Sequence, residues 1–260
     1  MSSRIRALGM LETLAQYPNG LAPRTLAQLL KIPHAAAERT VQGLIEGGFL
    51  FRTADGAVRL SVKLAALGLA YLGTSGITDL VQPILDDLAK RTGELVRLAV
   101  VESDHLTWVA KSQSAQSGLF YVPHTEPEVY LAATANGQAW LASLDDDQLR
   151  SVVEKQGLHR PDLGPNAPAS MEQLLEQVER TRRIGYACVT EAYEIGTSAM
   201  ATAIRKRGIG LPVGTVSVAG PTIRMTQERM VEIAPWLQAS AAELGAAAAS
   251  SPLFSLSSDQ

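Results

Sequence analysis

The chain has 260 residues, 46 % of them apolar and 5 % aromatic, with a formal net charge of −3, a composition that suits a globular protein with one large core or two ordinary ones. It contains no run of about 18 apolar residues, and its start, Met1-Ser2-Ser3-Arg4-Ile5-Arg6, lacks the apolar stretch of a signal peptide; no membrane association and a cytoplasmic location are expected. A single cysteine, Cys188, excludes an internal disulfide and a cysteine-type metal site.

Charge is divided unevenly. Residues 1–73 carry eight Lys or Arg against four Asp or Glu, a balance of +4, and the remainder carries 15 against 22, a balance of −7. The amino-terminal part is the side that can approach a polyanion.

Over 4–17, apolar side chains at Ile5, Leu8, Leu11, Leu14 and Ala15 fall at helical spacing and predict a helix with one buried stripe. Pro18-Asn19-Gly20 ends it. Pro23, suited to a first helical turn, opens a short second helix containing Leu26, Ala27, Leu29 and Leu30. Lys31-Ile32-Pro33 breaks that pattern, and a third helix runs over 34–46 with Ala37, Val41, Leu44 and Ile45 inward. Gly47-Gly48 stops it. Phe49-Leu50-Phe51 and Val58-Arg59-Leu60, around an Asp55-Gly56 turn, then predict a β-hairpin.

Helix, tight turn, helix and hairpin make a winged helix-turn-helix, whose second paired helix fits the major groove of DNA. Its outer face carries His34, Ala35, Glu38, Arg39, Gln42 and Glu46. Arg39 can read guanine or hold a phosphate, Gln42 can pair with adenine, and Ala35 can touch a thymine methyl. His34 shares the face, and Arg52 and Arg59 of the wing can reach flanking phosphates. For each residue, an ordinary solvated surface is the alternative.

Residues 61–72, with Leu64, Leu67, Leu69, Tyr71 and Leu72, predict an apolar helix too short to span a membrane. Gly73-Thr74-Ser75-Gly76 marks a domain boundary. An amphipathic helix kinked at Pro83 follows over 77–90, then a hairpin over 95–110 turning at Ser103-Asp104-His105, and a further strand at 119–122. A helix is expected near 137–144. Asp145-Asp146-Asp147 opens the next, where carboxylates oppose the helix dipole. After a loop over 157–168 come a helix over 171–183, strands over 186–190, 197–204 and 211–219, and a closing helix over 227–249. Strands in two sets with helices outside them predict a sandwich-like α+β domain around a sheet. The organisation is a winged helix-turn-helix domain over 1–60, a linker helix over 61–76, a second domain over 77–249 and a disordered tail over 250–260.

One set of residues stands at a recognisable order and spacing: Gly20-Leu21, Leu26-Ala27, Ile32-Pro33, Arg39, Leu44, Gly48-Phe49-Leu50, Asp55-Gly56 and Arg59-Leu60. A second set comprises Ala133-Thr134-Ala135-Asn136-Gly137-Gln138-Ala139, Gly185-Tyr186-Ala187 with Glu191, Tyr193, Glu194 and Gly196, and Ser217-Val218-Ala219-Gly220-Pro221. Together they resemble the IclR family of bacterial transcription regulators over nearly the whole chain. The resemblance implies an α+β protein with a C-terminal α/β effector-binding domain around an antiparallel sheet. It implies as partners a double-stranded DNA operator, a small-molecule effector that is often a carboxylate-bearing metabolite, and further copies of the chain in a dimer or tetramer paired through the linker helix. Repression is the more common role, and no cofactor or metal is expected.

Where the family usually starts its recognition helix with a Lys-Ser-Thr type sequence, this chain has His34-Ala35-Ala36. Gln138 replaces a usual Lys, Val189 and Ala192 replace acidic residues, and Ala199 replaces a frequent Cys. A helix start at Asn136-Gly137 together with the hydroxyls of Thr215 or Ser217 can hold a carboxylate without a buried Arg. Ala199 and Ala219 leave the site roomier and less polar, and Tyr121 is a further candidate. The expected effector is therefore larger or more apolar than a two- or three-carbon oxoacid, such as an aromatic or lipophilic acid.

The histidines His34, His105, His124 and His159 are scattered, with no HExxH pattern and no GxxxxGK loop, so no enzyme is expected. Two alternatives stay open. One is a DNA-binding regulator whose second domain only oligomerises; the other is an enzyme acting on a small metabolite, built on Glu191 and Glu194.

Overall fold

The computed structural model describes residues 2–114, 128–206, 210, 212–251 and 254. The chain divides into two compact units, Met1–Gly73 and Thr74–Gln260.

The first unit contains α1 (Ser3–Ala15), α2 (Pro23–Leu29), α3 (His34–Glu46), β1 (Leu50–Arg52), β2 (Val58–Leu60) and α4 (Val62–Thr74). Ser2 caps α1 by accepting from the Ile5 N–H, and Pro23 opens α2, where no N–H is needed. Met10, Leu14, Leu26, Ala27, Ala37 and Val41 of the three helices close on Leu50 and Val58 of the hairpin. The wing is tied down twice. Its two strands pair antiparallel from Leu50↔Leu60 to Arg52↔Val58, and Val58 exchanges both backbone hydrogen bonds with Leu21, at 2.8 and 3.1 Å. The helix α4 differs in kind, because none of its residues is buried and Leu67, Leu69 and Tyr71 are exposed.

In the second unit a π-helical turn (Ile77–Val81) leads into α5 (Gln82–Thr92). The break in this helix therefore precedes Pro83, which sits in the first turn of α5. Next come β3 (Leu95–Glu102), β4 (His105–Gln113), α6 (Ala135–Leu141), α7 (Asp146–Gln156), α8 (Met171–Ile184), β5 (Ala187–Thr190), β6 (Thr197–Arg205), β7 (Pro212–Pro221) and α9 (Gln227–Ala247). Asp145 accepts from the Gln148 N–H in a capping box while Asp146 and Asp147 occupy the first turn of α7, which accounts for the acidic triplet.

The strands form one antiparallel sheet in the order β4-β3-β7-β6-β5, where the sequence suggested two sets. The sets are joined because β3 pairs with β7 from Leu95↔Ala219 to Val100↔Gly214, and this satisfies backbone groups that each set alone would leave on a buried edge. Helices cover both faces. On one side α5 packs on β3 and β4 while α9 packs on β6, β7 and α5; on the other, α6 lies over β5, β6 and β7 with α8 against it. As the central strand, β7 is buried at every residue.

The α6 side supplies the site, and its position is set by close contacts. Thr134 caps α6, its hydroxyl accepting from the Gly137 N–H at 3.0 Å and donating to the Tyr130 carbonyl at 2.7 Å. Gly137 lies on the backbone of Leu131, where a Cβ would overlap it. The Gln156 side chain clamps the entry to the helix by accepting from the Leu131 N–H and donating to the Val129 carbonyl. Gln138, buried, donates to the Ala132 carbonyl and to Gln177 Oε1.

The tail expected to be disordered from 250 is buried at Ser251 and Phe254. The Ser251 hydroxyl donates to the Ser75 carbonyl, and burial of the apolar Phe254 ring is favourable. The strand expected at 119–122 lies outside the described residues, as do Tyr121 and His124. Among the described residues no single helix is long and apolar enough to cross a membrane, and no group of His, Cys, Asp and Glu is arranged to hold a metal.

Replacing Gly137 with Ala should cost the second unit about 1–3 kcal/mol through overpacking against Leu131. Urea unfolding should place its transition at lower denaturant; an unchanged midpoint would show that α6 is not seated as described.

Candidate functional site

Two surfaces concentrate chemistry, one in each unit. In the first, α3 turns Ala36, Ala37 and Val41 inward, leaving His34, Ala35, Arg39, Gln42 and Glu46 exposed and Glu38 half-buried. Arg39 makes no side-chain hydrogen bond or ion pair among the described residues, so its guanidinium is available. Gln42 donates to Glu46 Oε1 at 3.0 Å on the exposed face, a bond that a base edge can replace. His34 approaches Glu38 at 3.9 Å.

The wing arginines are engaged within the protein. Arg52 donates to Glu38 Oε2 at 3.1 Å and to the Gly56 carbonyl at 3.2 Å, and so masks an acidic group on α3. Arg59 donates to the Asn19 carbonyl at 2.8 Å and to Asn19 Oδ1 at 3.2 Å, fixing the second wing strand to the loop before α2. Their first role is to position the wing. At the N-terminus of α3, Pro33 provides no side-chain cap, which leaves the first N–H groups of the helix open to an anion.

In the second unit a pocket of about 620 Å³, including solvent at its mouth, lies between the sheet and the start of α6. Its sheet side is formed by Arg97 and Trp108 from β3 and β4, Ser217 and Ala219 from β7, Thr197 and Ala199 from β6, and Val189 from β5. Glu128, Tyr130, Thr134, Ala135 and Asn136 line one wall, and Ala192, Tyr193 and Glu194 another. Apolar lining with a few convergent polar groups is typical of a small-molecule site.

Arg97 lies over Trp108, its Cζ 3.4 Å from the ring centroid. Stacking on an aromatic face holds a guanidinium in place. Arg97 is also the direct cross-strand partner of Ser217, which brings a cation and a hydroxyl together on the sheet. The Ser217 Oγ is buried and has no hydrogen-bond partner among the described residues, and the same holds for Glu194 Oε2. Tyr130 and Tyr193, 6.3 Å apart, both face Arg160, at 5.5 and 5.8 Å. Burial pushes the Tyr130 phenol above its ordinary value, with Arg160 opposing the shift, so at neutral pH it donates, to the Gly157 carbonyl at 2.8 Å.

Of the residues expected from the sequence, Asn136, Ala199, Ser217 and Ala219 line this pocket. Gly137 and Thr215 stand behind it: Gly137 packs on Leu131, and buried Thr215 accepts from Asn136 Nδ2 at 2.9 Å. Tyr121 is outside the described residues. Half-buried Arg97 also lines the pocket; its signal in the sequence is the single charge within Leu95-Val96-Arg97-Leu98-Ala99-Val100-Val101. Burial pushes the Cys188 thiol up to about 11, and Cys188 does not line the pocket; it is an inert core thiol.

Comparison with known proteins bears on both surfaces. Residues 5–54 match the family model described as the IclR helix-turn-helix domain, and residues 69–246 match that described as the bacterial transcriptional regulator IclR C-terminal domain. The transcriptional repressor IclR of Escherichia coli K12 is 25 % identical over 234 residues, covering 89 % of this chain and 84 % of that one. The crystal structure of Thermotoga maritima IclR superposes with a TM-score of 0.71 at 26 % identity, covering 94 % of this chain and 97 % of the other. An IclR homologue from Microbacterium hydrocarbonoxydans, crystallised with 4-hydroxybenzoate, superposes with a TM-score of 0.76 at 23 % identity, covering 96 % and 100 %. With matched models spanning both units, the chain belongs to the IclR family of bacterial transcriptional regulators.

Proposed function

We infer that this regulator is a repressor that grips an operator through α3 and releases or tightens its hold when a monocyclic aromatic acid occupies the pocket of the second unit. The observation that carries the effector half is Arg97, held on Trp108 beside the unpartnered Ser217 hydroxyl. A cation and a hydroxyl on an otherwise apolar floor match a carboxylate attached to an apolar body. The floor itself, Ala199, Ala219 and Val189, has the width that larger side chains would remove. The likeness in fold to a homologue crystallised with 4-hydroxybenzoate supports the same class of ligand.

On the DNA side Arg39 is the principal reader, with Gln42 its neighbour one turn on; Ala35 offers a methyl contact, and His34 flanks the helix start. The exposed apolar side chains of α4 favour a second copy of the chain as partner, because an apolar helix gains stability only by covering that surface. A dimer would present two α3 helices to two half-sites.

In gel-shift titration against an operator selected from random duplexes, Arg39→Ala should weaken specific binding by about 1–3 kcal/mol. Undiminished affinity would remove Arg39 from the interface. In calorimetry the full chain should bind benzoate-type acids and not glyoxylate, and Arg97→Ala should weaken that binding by about 1.5–3 kcal/mol, the value of a hydrogen bond to a charged group. Selective binding of glyoxylate would overturn the ligand class.

A further inference from the structure

We propose that the pocket reads two ends of its ligand, the carboxylate at Arg97 and a hydrogen-bond donor at Glu194, so that the effector class is an aromatic acid bearing a hydroxyl or amino group remote from its carboxylate. This rests on the effector reading above and narrows it.

The pocket is polarised across the sheet. Arg97 and Trp108 come from β3 and β4, Glu194 comes from the loop between β5 and β6, and β7 runs between those strands. Between the two ends the floor is one apolar row, in which Ala219 pairs with Ala199 and Ala199 with Val189 across β7, β6 and β5. Nothing in that row can hydrogen-bond through its side chain. A ligand spanning it needs an apolar body and polar termini.

Glu194 is distinct from its neighbour Glu191. The Glu191 carboxylate is committed to the loop, where its Oε1 accepts from the Gly196 N–H at 2.9 Å. Glu194 has Oε2 buried and without a partner among the described residues, while its backbone carbonyl accepts from Thr197 at the start of β6, fixing the loop beside the pocket. A buried carboxylate oxygen lacking a donor is costly to keep. A ligand hydroxyl or amine supplies that donor. A ligand with only a carboxylate leaves the oxygen unpaired. A methyl ether at the same position fills the space without donating, and a site built around a donor discriminates strongly against such an analogue.

The test is calorimetry on the full chain with benzoate, 4-hydroxybenzoate, 4-aminobenzoate and 4-methoxybenzoate, for the native protein and for Glu194→Met. In the native protein the two donor-bearing acids should bind about tenfold or more tightly than benzoate and 4-methoxybenzoate. In Glu194→Met, with its melting temperature recorded to confirm folding, that preference should disappear while benzoate is still bound. Equal binding of the hydroxy and methoxy acids by the native protein would overturn the donor reading and leave the aromatic-acid reading standing. A preference retained in Glu194→Met would overturn the role of Glu194, and failure of all four acids to bind would overturn the aromatic-acid reading together with this one.

Discussion

The constraint on which the second unit depends is the burial of β7 on both faces. All ten residues from Pro212 to Pro221 are buried, because β3 and β6 flank the strand while α9 and α6 cover it. Every polar group on such a strand must find its partner inside the protein or in a ligand. Thr215 finds Asn136, a bond that also anchors α6 to the sheet. Ser217, two residues on and on the same face, finds none, and the pocket opens over it. One strand thus fixes where the helix sits and where binding chemistry is left unsatisfied.

The carboxyl end of β7 shows the same logic carried to completion. Gly220 lies directly on the Glu94 carboxylate, where a Cβ would collide with it, and Arg224 caps that carboxylate with two hydrogen bonds, at 2.5 and 2.8 Å. Glu94 is only 5 % exposed in its side chain, and its hydrogen bond holds the Arg224 guanidinium above its ordinary value. A buried ion pair of this kind fixes geometry more surely than it adds stability. At this joint the buried carboxylate is paired; over the pocket the Ser217 hydroxyl has no partner among the described residues.

Legibility from sequence followed the range of the interactions. The winged helix-turn-helix could be read because its signals are local: the helical spacing before Pro18, Pro23 at a helix start, and the Asp55-Gly56 turn, whose Gly56 has φ of 85°; within the first helix the expected stripe was displaced, since Ile5 and Leu8 are exposed and Met10 is buried beside Leu14. The single sheet could not be read in this way, since the pairing of β3 with β7 joins residues more than a hundred positions apart and leaves no periodic trace. Site residues divided on the same line. Asn136 and Ser217, expected from motif context, line the pocket, whereas Gly137 packs on Leu131 and Thr215 accepts from Asn136, contacts that no local pattern carries. Arg97, Phe254 and Glu194 each left a compositional anomaly, respectively a charge in an apolar strand, an aromatic in a serine-rich tail and a carboxylate beside Tyr193, whose meaning required the third dimension.

Regulation requires that the pocket and α3 be coupled, and coupling is a free energy shared equally by both sites. The direct measurement is a pair of titrations on the full chain: operator affinity with and without saturating 4-hydroxybenzoate, and 4-hydroxybenzoate affinity with and without saturating operator. The account predicts that each ligand changes the other's affinity by the same factor, about 5- to 150-fold. Operator affinity unaltered by a demonstrably bound acid would contradict it, leaving the second unit as a scaffold for assembly.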